Sequence, residues 1–210
     1  MLPRALAGCI AALLRTWRLP PLDLVWLTAD LAVGAAPVAG RLEQVSRLGI
    51  TALVDMRTAD ERALDRHWEI AALRSALRVL HLPVVDRTAP TLEELEAASA
   101  WVESELSSGG RVLVCCRAGV GRSVTLATAV LVRQGYRFPE AFRLVGRRRR
   151  VANPTDAQLA ALQAFTGAVA CAPPGPPRAP RRAQRRVQRR TAGRPRGRWV
   201  RSAVRLVRTG

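Results

Sequence analysis

The chain has 210 residues, about half of them apolar, which allows one domain with a substantial core and leaves too little for two. Its formal charge of +18 is unevenly placed: all 34 basic residues are Arg, residues 172–210 hold 13 of them and no acid, and residues 1–171 carry 21 Arg against 16 acids, a net of only +5. Four cysteines are too few for a disulfide scaffold in a chain of this size, and the longest apolar runs, 5–14 and 124–132, fall short of the roughly 18 residues of a membrane span; a reducing, cytoplasmic setting is expected.

In chain order, residues 1–18 read as an amphipathic helix or a loose arm, grouped with the approach segment as an arm over 1–23. Leu6-Ala7-Gly8-Cys9 is similar to a lipoprotein cleavage box, but only five residues precede it, too few for an export signal. Residues 24–28 and 31–33 suit short strands about a turn. Residues 38–48 have apolar positions at helical spacing, closed by Gly49. An apolar, β-rich run at 50–56 suits a buried strand. A helix is expected over 60–77 with Asp60 as its N-cap, then a strand over 79–84. Thr91 and Glu94 form a capping-box pattern that opens a helix to about residue 106. A strand over 112–116, a long helix over 122–134 and Pro-initiated helices over 139–148 and 154–165 follow. From Cys171 onward Pro, Gly and Arg dominate, so 169–210 is expected to be a disordered basic tail. Strands alternating with helices predict an α/β fold: a mainly parallel central sheet of four or five strands flanked by helices, occupying residues 24–168.

The chemistry concentrates after the 112–116 strand, in Cys116-Arg117-Ala118-Gly119-Val120-Gly121-Arg122-Ser123. A buried strand delivers a thiol to the sheet edge, a loop with two glycines turns back, and a helix begins. Successive N–H groups of such a loop, from Arg117 to Arg122, can converge as an anion nest, with the positive end of the helix behind them. Arg122 adds a planar fork suited to two phosphate oxygens. The positive surroundings favour a thiolate at Cys116, a nucleophile for phosphorus, and Ser123 can donate a hydrogen bond to the departing sulfur.

This run resembles the Cys-x5-Arg-Ser/Thr signature of the protein tyrosine phosphatase superfamily, and within it the compact dual-specificity phosphatases. Leu31-Ala-Val-Gly34 and Leu48-Gly-Ile-Thr-Ala-Leu-Val-Asp55-Met-Arg57 are similar to that family's first two core strands, Leu82-Pro83-Val-Val-Asp86 to its general-acid loop, and Asn153-Pro154 with Gln158 and Leu162 to its last core helix. The resemblance implies hydrolysis of phosphomonoesters, chiefly phosphotyrosine, phosphoserine and phosphothreonine in proteins, through a cysteinyl-phosphate. It implies Asp86 as general acid and then base, and no cofactor. One departure is Cys115, where the family carries a His that holds the loop and helps keep the thiolate acidic; its loss removes no group that touches phosphate, and Cys115 is read as a plain buried thiol.

Other readings stand beside these. A rhodanese-like sulfur carrier also sets Cys on an anion loop, and a phosphate-binding pseudophosphatase impaired at Cys115 would keep the nest without turnover. Phosphoinositides and RNA 5′-phosphates suit the same loop. Asp60 and Asp65 rival Asp86, which also suits a simple turn. Asp55 and Arg57 read as a structural pair, and Arg147 to Arg150 as a solvated helix end or a recruiter of acidic substrates. His67 and His81 have no ligand spacing, so no metal is expected. The tail offers weak polyanion affinity, for nucleic acid or anionic lipid.

Overall fold

The computed structural model describes residues 19–171. The expected arm over 1–18 and the tail beyond Cys171 lie outside the described residues.

Five strands form one sheet: β1 (Leu24–Trp26), β2 (Leu31–Ala35), β3 (Ala52–Asp55), β4 (Arg78–His81) and β5 (Val112–Cys116). Their order is β1-β2-β5-β3-β4; β1 runs antiparallel to β2 and all other pairs are parallel. The central strand is therefore β5, whose five residues are all buried, as suits a parallel strand covered on both faces.

The pleat sends alternate β5 side chains to opposite cores. Val112, Val114 and Cys116 join the larger one, formed with helices α4 (Leu92–Ser107), α5 (Arg122–Arg133), α6 (Phe138–Arg148) and α7 (Asp156–Cys171). Leu113 and Cys115 join the smaller one, with Leu42 and Val45 of α1 (Leu42–Arg47) and Trp68 and Ala72 of α3 (Trp68–Arg74). In α5 every residue from Arg122 to Val132 is buried, so the helix that follows the Gly loop is the axis of its layer.

Several expected elements differ in extent. The helix expected over 60–77 is two: α2 (Ala59–Ala63) and α3, and the N-cap of α2 is Thr58, in a capping box with Glu61, rather than Asp60. Tertiary contacts override the helical pattern between them. Asp65 accepts a hydrogen bond from Ala39 N–H at 2.6 Å, and Trp68 buries its ring while donating from Nε1 to Pro37 O at 3.0 Å. The last helix begins at Asp156 rather than 154 and runs to Cys171, beyond the expected 165. The Thr91–Glu94 capping box forms as read.

Candidate active site

Cys116 ends β5, and residues 117–121 connect it to the first turn of α5. The thiol is only 2% exposed. Its Sγ accepts a hydrogen bond from Gly119 N–H at 3.2 Å and lies 3.4 Å from Ser123 Oγ, so two donors are available to a sulfur anion. Gly119 has φ +68°, and a Cβ there would meet Gly34 C at 2.4 Å and Ala35 N at 2.6 Å. Both left-handed backbone and close approach thus require glycine. At Gly121 a Cβ would meet Gln158 Oε1 at 2.6 Å.

The loop is held from behind. Arg149 donates from Nε to Gly119 O at 3.0 Å and from one terminal nitrogen to Ala118 O at 3.0 Å, and Asn153 N–H donates to Val120 O at 2.9 Å. Three consecutive loop carbonyls are thereby drawn outward, which leaves the opposite side of the loop to its amides. Arg149 is 4% exposed and forks onto Asp23, whose carboxyl it holds below the usual range by hydrogen bonding. The reading of Arg147 to Arg150 as a solvated helix end is therefore corrected at this residue; Arg147, Arg148 and Arg150 are exposed as expected.

Arg122 is 1% exposed and enclosed by acceptors. Its terminal nitrogens donate to both Glu61 oxygens at 2.7 and 2.8 Å, to Val84 O at 2.7 Å and to Met56 O at 3.4 Å, and one lies 3.0 Å from Asp86 Oδ1. The Arg122 hydrogen bond, aided by Thr58 N–H, lowers the Glu61 carboxyl to about 2 despite partial burial. Arg122 Nε is different: buried, with no protein partner. A buried guanidinium N–H without an acceptor is costly, and here it belongs to the side chain that follows the Cys116 loop; Arg62 Nε, beside Asp55, is buried without a hydrogen bond in the same way.

Asp86 extends from the segment after Val84, with its side chain 64% exposed. The next residue, Arg87, has φ +65°, strain of the kind that collects in functional loops. The segment is tied to the start of α7: Thr155 Oγ1 donates to Arg87 O at 3.2 Å and Gln158 Nε2 to Thr88 O at 2.8 Å. Asp86, Arg122, Ser123 and Cys116 are thus brought together, whereas the rivals are not: Asp60 is exposed on α2, and Asp65 is committed to Ala39.

Asp55 and Arg57 form the expected buried pair, with Arg57 Nε and a terminal nitrogen each 2.9 Å from Asp55 oxygens; Arg57 and Arg62 stack over Trp68 at 5.0 and 4.7 Å. Cys115 donates to Val54 O at 3.3 Å in the opposite core, and burial, reinforced by Asp55, raises its thiol well above the usual range. It is the plain buried thiol expected. Among the described residues no group of three or more His, Cys, Asp or Glu is arranged to hold a metal, and no helix is long and apolar enough to cross a membrane.

Glu61, Arg149, Asp23 and Gln158 make contacts at the site that the sequence reading did not assign. Glu61 and Gln158 carried a local signal, the capping patterns Thr58-x-x-Glu61 and Thr155-x-x-Gln158, and Gln158 also belongs to the resemblance in the last core helix. Arg149 was hidden in a run of four arginines, and Asp23 meets it 126 residues away.

The family model for the dual specificity phosphatase catalytic domain matches residues 31–167. Human dual specificity phosphatase 28 is 33% identical over 151 residues, covering 71% of this chain and 81% of the relative. Human dual specificity protein phosphatase 1 is 29% identical, over 66% of this chain but only 36% of its own length, so the chain spans about a third of that larger relative. Among solved structures, Tk-PTP in the active form superposes with a TM-score of 0.63 at 29% identity, covering 69% of this chain and 97% of that one; human DUSP28 gives 0.62 at 29%, covering 73% and 99%.

Proposed function

The chain belongs to the dual-specificity phosphatase family and is a cysteine-dependent protein phosphatase; from that premise we propose that Cys116, Arg122, Asp86 and Ser123 carry the reaction on phosphotyrosine, phosphoserine and phosphothreonine in proteins. The observation that supports these roles best is the unpartnered, buried Nε–H of Arg122 in the side chain that closes the Cys116 loop.

In the first step the Cys116 thiolate attacks phosphorus. The S–P bond forms as the P–O bond to the leaving group breaks, and Asp86 gives its proton to that oxygen. Arg122 and the N–H groups from Arg117 to Arg122, through Ala118, Gly119, Val120 and Gly121, bear the charge of the transferring phosphoryl. In the second step water attacks phosphorus while Asp86 takes a proton from it, and the S–P bond breaks to return the thiolate. Ser123 Oγ, 3.4 Å from the sulfur, donates to it as it departs. Asp86 beside Arg122 suits this cycle, because one carboxyl then serves both the leaving and the attacking oxygen.

The pseudophosphatase reading raised by Cys115 is not favoured by the family likeness, and Cys115 lies on the far side of β5 from Cys116. We further propose a catalytic unit over 24–168, a reducing, cytoplasmic setting that keeps Cys116 free, and weak polyanion contact through the 13 arginines of 172–210. The test of the residue roles is leaving-group dependence. Asp86→Asn should slow turnover of alkyl phosphates by about 10²–10⁴-fold and of a nitrophenyl phosphate much less. Equal slowing of both would remove Asp86 from the acid role.

A further inference from the structure

We propose that a cavity beside the phosphate loop is a subsite for an apolar side chain flanking the phosphorylated residue of a protein substrate. The inference rests on the reading of the Cys116 loop as the phosphate site and extends it to substrate choice.

The cavity holds about 240 Å³ and is walled by Pro20, Pro21, Leu22, Pro37 and Val38, with Ala35 and Ala36 at one side and Arg117 at another. It adjoins the first residue of the loop. Ala35 pairs in register with Cys116, and Ala36 N–H donates to Cys116 O at 2.7 Å, so the backbone of this wall is bonded directly to that of the nucleophile. Arg117 is both the first residue of the phosphate loop and a wall of the cavity.

Its chemistry selects an apolar occupant. Two of the three charged residues that line it are engaged within the protein: Arg41 donates to Leu19 O, Pro20 O and Gln44 Oε1, and Asp23 is held by Arg149. What remains is a proline-, leucine- and valine-faced hollow, bordered by the exposed Arg117, whose aliphatic stem can cover apolar surface while its head stays in water. Three prolines fix the wall backbone, so the hollow is preformed and an occupant need not order it.

The experiment uses the full chain, a nitrophenyl phosphate, and phosphotyrosine peptides that differ only in one residue flanking the phosphotyrosine: Leu, Gly or Glu, on either side. In one of the two flanking positions the Leu peptide should exceed the Gly peptide in kcat/KM by about tenfold or more. Val38→Trp, which fills the hollow, should bring the Leu peptide down to the Gly level and leave nitrophenyl phosphate turnover within about twofold. Leu22→Ala, which enlarges it, should shift preference from Leu toward Phe and guards against misfolding of the first variant. Equal rates for Leu and Gly peptides, preference for Glu, or uniform loss on every substrate in both variants would overturn the subsite while the phosphatase reading stood. A wild type inert toward nitrophenyl phosphate would overturn both.

Discussion

Arg149 holds the Cys116 loop from outside the proposed phosphate site. Its guanidinium binds two loop carbonyls on one side and Asp23 on the other, so the direction of the loop amides depends on a side chain from the end of α6. Arg149→Met should lower kcat/KM for aryl phosphates by about 10²-fold, the usual result of small misplacement of binding groups, and weaken inhibition by vanadate in parallel. Arg149→Lys, with one point charge in place of the fork, should recover little. Vanadate affinity at wild-type strength in Arg149→Met would contradict this role. Cys115 and Cys116 offer a sharper contrast, because they are neighbours in sequence and face different cores. The Cys115 thiol is held protonated by burial, so iodoacetamide should label Cys116 in the native protein and spare Cys115, with vanadate protecting Cys116. Mass spectrometry of the peptide containing both reads the outcome, and label on Cys115 would refute the assignment.

At the scale of elements, the proposed active site is a junction of three connections. The β5–α5 loop brings the thiol and the amides, α2 brings Glu61 to Arg122, and the segment after β4 brings Asp86. The strand-loop-helix around Cys116 was legible because its signal is local: an apolar strand, two glycines and an apolar helix in one run. The Thr91–Glu94 cap was legible for the same reason. The break between α2 and α3 was not, since the residues over 60–77 have a helical pattern and only the burial of Trp68 against Pro37 and the capture of Asp65 by Ala39 interrupt it. The Arg149–Asp23 pair was illegible because nothing in either neighbourhood distinguishes the buried arginine from the exposed ones beside it. Gly119 tests the loop as an element. A Cβ there would collide with β2 backbone and the left-handed φ would be strained, so Gly119→Ala should both lower Tm and abolish most turnover. Wild-type activity in that variant would mean that the loop is not held as described.

For the whole molecule, the Glu61–Arg122 pair couples stability to pH. The Glu61 carboxyl sits near 2 in the folded chain against 4.5 ordinarily, so the unfolded chain binds more protons between those values. Its contribution to stability is therefore complete above about pH 4.5 and disappears as pH falls toward 2. Asp23 acts with the same sign but is more than half exposed, so salt screens its share. Thermal unfolding followed from pH 6 to 3 should fall less steeply with acid in Glu61→Gln than in the wild type, and identical slopes would show that the pair carries no such linkage. The distribution of charge makes a separate prediction. Removal of residues 172–210 should abolish salt-sensitive binding to a single-stranded oligonucleotide while leaving aryl phosphate turnover unchanged, because those residues hold 13 of the 34 arginines and the catalytic groups lie elsewhere. In the proposed mechanism phosphorus passes through the sulfur of Cys116. Rapid acid quench of the full chain turning over a ³²P-labelled phosphopeptide should trap label on the peptide containing Cys116, with none in Cys116→Ser. Turnover persisting in Cys116→Ser, or label on any other residue, would contradict it.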